Sequence, residues 1–273
     1  VKLSSISGEV IQAFQMFELE NSREIKYTKA SNPRDVVTSL DLKIHGILQK
    51  FCAEKLQGTT FISEESPDLQ SVMECIANLE SALVVDPLDG SNNVVCQIRE
   101  FGFMACLVKK GVIVESLIVL PNEGQILSWT DSEGFVPSRT LQVIESPSAT
   151  TYLAYSPNLD TKHSSFRSLM MNFLDETGAG VYRYGSACVG LFRTLVGAHS
   201  MFIGLKMRPW DVISYFPLLS SQGLKIIYTA DSSAISFLAT KSEVFLTEGQ
   251  KLLEDNLHTV QEYCIGKSLK VST

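Results

Sequence analysis

Donors of zinc and thiol-redox sites are scarce and scattered in this chain. The four histidines, His45, His163, His199 and His258, show neither an HExxH motif nor zinc-type spacing. None of the six cysteines forms a CxxC pair, and several sit in apolar runs such as Met104-Ala105-Cys106-Leu107, where a thiol acts as a small hydrophobe. A reduced, cytoplasmic compartment is the simpler expectation. Positive charge is in deficit: 23 Lys and Arg stand against 30 Asp and Glu, for a net charge of −7 and a pI of about 5.2. That balance speaks against attraction to a nucleic acid polymer or an anionic membrane. Long hydrophobic runs are missing as well. Val112 to Leu120 is interrupted by Glu115 and is too short to cross a bilayer. The N-terminus lacks the charged, apolar and cleavage regions of a secretory signal, so no signal peptide is expected. No internal repeat, low-complexity tract or coiled coil is evident.

The chain does have the composition of a globular protein, with 45% hydrophobic and 19% charged residues over 273 positions. Ile6, Val10, Ala13, Phe14 and Phe17 recur at helical spacing. A polar loop is expected from Asn21 to about Arg34. A second helix is expected over 39–57, its apolar face Leu40, Ile44, Ile47, Leu48 and Phe51. Thr59 to Ile62 and Leu83 to Val85 read as short strands. Phe103–Val108, Val112–Leu120 and Gln125–Thr130 are joined by turn residues and read as antiparallel hairpins. Ser146 to Thr150 resembles a connector. The second half alternates: strands over 152–155, 181–184, 200–203 and 224–228, and helices over 162–174, 186–196, 211–222 and 248–264. An antiparallel first half followed by alternating elements implies layered α and β structure.

Acidic residues gather where apolar runs end: Glu64 and Glu65, Asp86 and Asp89, and Asp211. Hard divalent cations take oxygen ligands, chiefly carboxylates, waters and substrate phosphate. In Asp86-Pro87-Leu88-Asp89-Gly90 the proline locks the turn, so both carboxylates and the Leu88 carbonyl can converge. Gly90 permits close backbone approach, and the amides of Gly90 and Ser91 suit a phosphate oxygen. Each piece alone has an ordinary explanation. An Asp-Pro-x-Asp-Gly turn is commonly a solvated loop, adjacent glutamates an exposed helix start, and Asp211 a first-turn acid. Their joint occurrence at run ends favours a site.

The pieces carry a resemblance. D-V-V-T-S-L-D (Asp35–Asp41), F-I-S-E-E-S (Phe61–Ser66), V-V-D-P-L-D-G-S-N-N (Val84–Asn93), Y-G-S-A (Tyr184–Ala187) and P-W-D-V (Pro209–Val212) stand in one order over most of the chain. In this the sequence resembles the inositol monophosphatase and fructose-1,6-bisphosphatase superfamily of lithium-sensitive phosphatases. The resemblance implies a layered αβαβα sandwich of the sugar phosphatase type. Its α+β half, residues 1–145, would carry the E-E and DPLDGS motifs, and its α/β half, residues 146–273, the WD motif. It implies Mg2+, as two or three ions. Glu64, Asp86 and the Leu88 carbonyl would hold the first, and Asp86, Asp89 and Asp211 the second. Glu64 and Ser91 would position and activate the attacking water. Asp41 and Glu65 would lie just behind, with Asp41 orienting a water or ligand near a weaker third ion. Asp89, Gly90 and Ser91 would meet the phosphate, and the Ala187 backbone the alcohol portion of the substrate.

The expected function is therefore hydrolysis of a small phosphorylated polyol or sugar. Nucleotidase action on 3′(2′),5′-bisphosphates and fructose bisphosphatase activity are alternatives. A non-catalytic metal or phospho-ligand binding protein is the rival from another class. A homodimer is expected from the resemblance alone. Inositol-type enzymes usually carry a glutamate seven residues before the WD aspartate; here that position is Gly204. A lysine common in the loop near the first helix pair is replaced by Ala30. Ser91 stands for a threonine, with the hydroxyl retained.

Overall fold

The computed structural model describes residues 1–20, 25–29, 32–66, 71–144, 152–157, 175, 180–256 and 260–271. The helix expected over 162–174 and the connector at 146–150 lie outside them. The first helix, α1 (Ser7–Glu20), is followed by β1 (Ile25–Lys29), β2 (Asn32–Thr38) and α2 (Ser39–Lys55). Next come β3 (Thr60–Ser63), α3 (Val72–Asn78), β4 (Ala82–Asp89), α4 (Ser91–Val95), β5 (Gly102–Lys109), β6 (Val112–Leu120), β7 (Gln125–Thr130) and β8 (Gly134–Pro137). The remainder is β9 (Tyr152–Pro157), β10 (Gly180–Tyr182), α5 (Ala187–Leu195), β11 (Met201–Met207), α6 (Phe216–Ser221), β12 (Lys225–Ala230), β13 (Ile235–Thr240), α7 (Glu243–Asn256) and β14 (Gln261–Glu262).

Two six-stranded mixed sheets form, in the orders β3-β4-β5-β6-β7-β8 and β10-β9-β11-β13-β12-β14. Successive side chains on a strand point to opposite faces, and here both faces are covered. From the first sheet, Leu83, Val85, Phe103, Ala105 and Leu107 pack with Val10 and Phe14 of α1 and Leu40, Ile44 and Leu48 of α2. Their neighbours Val84, Met104, Cys106 and Val108 turn the other way. They join a central cluster with Leu191 of α5, Leu218 and Leu219 of α6, and Phe202, Ile226 and Phe237 of the second sheet. The far face of that sheet, with Ile203, Leu205, Ile227 and Leu238, closes on Leu253 of α7. The layers are therefore αβαβα, as the resemblance implies. No helix among the described residues is long and apolar enough to cross a membrane.

Several stretches differ from the sequence reading. Part of the polar stretch 21–34 enters an antiparallel ribbon, β1 with β2, because Val36 and Val37 are buried and supply it with an anchor that lies beyond the polar residues. The helix expected over 211–222 is two single 3-10 turns, Pro209–Asp211 and Ile213–Tyr215, followed by the short α6. Pro217 has no N–H to give back along a helix, so it fits only in the first turn, and α6 begins there. The closing helix lies earlier than 248–264, and β13 had no counterpart in the reading. All six β13 residues are buried, which removes the alternation that marks a strand.

The end of β11 carries the chain toward Asp211 through Lys206, which has a left-handed φ of 48°. Lys206 Nζ donates to Asp231 Oδ2 at 2.6 Å, and Asp231 Oδ1 accepts from the Ser233 and Ala234 amides at 2.9 Å. Burial raises the Asp231 carboxyl, but the Lys206 and backbone donors outweigh it and bring it down to about 2. A depressed carboxyl stabilises the fold above its unfolded pKa and loses that contribution as pH falls toward 2. The partly exposed geometry holds the contribution to about 1 kcal/mol or less. Thermal melts from pH 6 to pH 2 are expected to show Asp231→Asn less stable than wild type at pH 6 and level with it near pH 2. A constant difference across that range would remove the carboxylate from the account.

Candidate active site

The ladder between β4 and β5 shifts register between Asp86, paired with Met104, and Asp89, paired with Gly102. Pro87 has no N–H for the ladder, so a bulge forms there. Residues three apart on a regular strand face opposite ways. The bulge turns both Asp86 and Asp89 into one cavity of about 150 Å³, lined also by Val36, Glu64, Leu88, Gly90, Ser91, Asn92, Gly185 and Asp211. Glu64 arrives at the end of β3, its amide bonded to Val85 O at 3.1 Å, and Asp211 closes the cavity from the 3-10 turn. Carboxylate oxygens of Glu64, Asp86 and Asp211 all lie within 4.8 Å of one another.

That grouping is electrostatically incomplete. Asp86 is 1% exposed. Burial first, then the charges of Glu64, Asp89 and Asp211, hold its carboxyl well above the usual range. Among the described residues, no Lys or Arg forms an ion pair with Asp86 or Asp89. Clustered carboxylate oxygens of this kind fit hard divalent cations such as Mg2+.

Asp89 is held differently. Its Oδ2 accepts from Ser186 Oγ and from the Cys188 amide at 2.7 Å, and the Ala187 backbone also donates to the carboxylate. The N-terminus of α5 thus grips this carboxylate, with Ser186 as cap, accepting from the Val189 amide at 3.2 Å. Burial lifts the Asp89 carboxyl and these donors lower it, leaving it at about 6. Ala187 itself is 2% exposed and does not line the cavity.

Ser91 Oγ donates toward Asp41 Oδ1 at 2.7 Å and Leu88 O at 2.9 Å; with one hydrogen, it serves one of them fully at a time. Asp41 lies behind Ser91, 1% exposed. Its other oxygen accepts from the Thr38 amide at 2.7 Å and Thr38 Oγ1 at 2.5 Å, completing a capping box on α2. Burial raises Asp41, the Thr38 and Ser91 hydrogen bonds oppose it, and the carboxyl rests at about 6. Glu65 lies outside the cavity lining, with Tyr27 Oη 3.4 Å from its Oε2.

Two glycines are dictated by space. Gly90 has φ 99°, and a Cβ there would sit 2.9 Å from Glu100 O. Gly185 has φ 73°, and its Cβ would lie 2.8 Å from Asn93 Oδ1. Asn93 escaped the sequence reading as a site residue. Its Nδ2 donates to Glu100 O at 2.6 Å and Tyr184 O at 2.7 Å, fastening the 184–185 segment beside α4. Its signal was its place in the SNN run. Ser186 had a comparable signal in YGSA, whereas nothing local marked Cys188.

Fold and site together define a layered αβαβα protein with a carboxylate-lined pocket suited to divalent cations and an anion. The model of the inositol monophosphatase family matches residues 1–263, and the chain belongs to that family of phosphatases. Inositol-1-monophosphatase of Bacillus subtilis is 24% identical over 196 residues, covering 71% of this chain and 72% of that protein. A staphylococcal IMPase-I solved with products superposes with a TM-score of 0.74 at 17% identity, over 96% of both chains. An IMPase/NADP phosphatase solved with Mg2+ and phosphate gives 0.73 at 17% identity, over 96% of this chain and 97% of that one. At such identities the two structures speak for the fold.

Proposed function

We propose that this chain is a Mg2+-dependent phosphoric monoester hydrolase acting on a small phosphorylated polyol, sugar or nucleotide. The observation that carries the reading is the convergence of Glu64, Asp86 and Asp211 in the cavity that Gly90 and Ser91 also line. Glu64, Asp86, Leu88 O, Asp89 and Asp211 would hold two cations. When bound, these supply Lewis acidity and cancel the charge that otherwise repels a phosphate. Gly90 and Ser91 amides orient the phosphoryl oxygens. Ser91 Oγ, donating to Asp41, keeps its lone pairs for the attacking water, and Asp41 takes up the proton passed through the hydroxyl.

Position 204 bears on the alcohol. A Cβ at Gly204 would lie 2.4 Å from the Phe237 ring and 2.9 Å from Met207 Cγ. The core thus leaves no room at position 204 for the carboxylate that inositol-type enzymes usually carry there. This favours a substrate other than myo-inositol 1-phosphate.

The test is phosphate release from inositol 1-phosphate, fructose 1,6-bisphosphate, 3′-phosphoadenosine 5′-phosphate and histidinol phosphate, with Mg2+ and with EDTA. Turnover is expected only with Mg2+, and at least about tenfold slower for inositol 1-phosphate than for the best of the others, the ratio that about 1.4 kcal/mol sets. Activity surviving EDTA would overturn the metal reading. Inositol 1-phosphate as the best substrate would overturn the inference from Gly204.

A further inference from the structure

Asp89 comes from one sheet and Asp211 from the far side of the cavity. The cavity works as a two-cation site only if the two stay in register. Four residues after Asp211, Tyr215 is fully buried in the second 3-10 turn. Its hydroxyl donates to Cys188 O at 2.9 Å, and the amide of the same Cys188 donates to Asp89 Oδ2 at 2.7 Å. One peptide neighbourhood thus joins the turn that carries Asp211 to the carboxylate of Asp89. The packing around it leaves no slack. Gly102, paired with Asp89 across the ladder, faces Cys188 so closely that a Cβ would lie 2.5 Å from its Sγ.

We propose that Tyr215 is a positioning residue that locks the α5 N-terminus onto Asp89, fixing the distance between Asp89 and Asp211 and aiming Asp89 Oδ1 at the second cation. The inference rests on the reading of those two carboxylates as cation ligands. Helical geometry gives Cys188 O a partner within α5 as well, so the tyrosine bond is additional to the helix and not required to form it. A hydroxyl reaching from a 3-10 turn to a first-turn helix carbonyl is therefore a tether between elements. Core packing alone would be satisfied by phenylalanine.

The experiment compares wild type, Tyr215→Phe and Gly102→Ala. Mn2+ is titrated by calorimetry without substrate, and the Mg2+ dependence of phosphate release is measured alongside thermal melts. Tyr215→Phe is expected to fold, to weaken the lower-affinity Mn2+ step roughly tenfold, and to raise the Mg2+ needed for half-maximal rate by a similar factor, the lower end of losses for groups behind a ligand. Its kcat at saturating Mg2+ stays near wild type. Gly102→Ala, whose Cβ would press on Cys188 Sγ, is expected to move the same step in the same direction. It provides the test if Tyr215→Phe does not fold. A lowered melting temperature with an unchanged Mn2+ isotherm would make Tyr215 a packing residue and overturn the proposal. Wild type that binds no Mn2+ would overturn the cation reading itself, and this inference with it.

Discussion

Asp86→Asn is expected to do two opposite things: abolish phosphate release and stabilise the metal-free protein. Asp86 is one of the carboxylates that would hold the cations in the proposed reading, so its loss is expected to lower the rate on the order of 10³-fold or more. Stability goes the other way because the Asp86 carboxyl is buried, and the charges of Glu64, Asp89 and Asp211 raise it further. Asparagine keeps the oxygen that accepts from the Leu88 amide at 3.1 Å and gives up the charge. Without metal at neutral pH, the variant is expected to melt at least about 2–4 °C higher, the shift that 1 kcal/mol makes in a chain of this size. The pH dependence follows from carboxyls held high in the folded state. Asp89 rests at about 6, and Asp86 is held well above the usual carboxylate range. Such groups favour the fold most in acid, below their unfolded pKa, and lose that contribution as pH rises through the folded value. Metal-free wild type should therefore weaken between about pH 4 and pH 7, and the variant less. Added Mg2+ should raise the wild-type melting temperature and leave that of Asp86→Asn nearly unchanged. Melts with and without EDTA decide the matter, and a variant less stable than wild type in EDTA would sink the account of repulsion.

Much of this was readable from the chain, for identifiable reasons. Glu64 follows β3, Asp86 and Asp89 lie in the second half of β4, and Asp211 sits in the 3-10 turn after β11, so all four could be picked out where apolar runs end. The strands over 102–130 are set apart by the turn residues Lys109-Lys110-Gly111 and Pro121-Asn122-Glu123-Gly124, and they appear with shifts of a residue or so at their ends. What escaped was set by contacts between distant segments. β1 and β2 look polar because their anchor is only Val36 and Val37. β13 is covered on both faces and has no period to detect. The grip on Asp89 joins residues 97 and 99 positions apart, and the bond from Tyr215 to Cys188 spans 27. Such distances leave no mark in local spacing. Asp41 illustrates the overlap of the two cases. Its spacing from Thr38 is that of a capping box, while its bond to Ser91, 50 residues on, is visible only in the fold.

That double role sets the second large effect. Ser91→Ala and Asp41→Asn are each expected to lower kcat by roughly 10²–10⁴-fold, the range for losing a positioned proton acceptor or its relay. The Mg2+ requirement should stay within a few-fold of wild type, since neither side chain is needed to hold a cation in this reading. The pair acts as one unit, so the double variant should be little slower than the worse single one. Independent contributions would instead multiply, and that result would separate Asp41 from Ser91. Asp41 Oδ2 also accepts from Thr38 at the start of α2. Asparagine keeps an acceptor oxygen there and gives up a buried charge whose pKa the fold raises, so at neutral pH Asp41→Asn should be no less stable than wild type. pH supplies the last check. Asp41 must be ionised to take the proton, and burial against its hydrogen bonds leaves it at about 6. Wild-type kcat is therefore expected to fall as pH drops through about 6, with bound cations moving that limb lower by favouring the carboxylate. Asp41→Asn should flatten the limb at every Mg2+ concentration. A variant that kept the wild-type acid limb would assign it to another group and leave Asp41 with the helix cap alone.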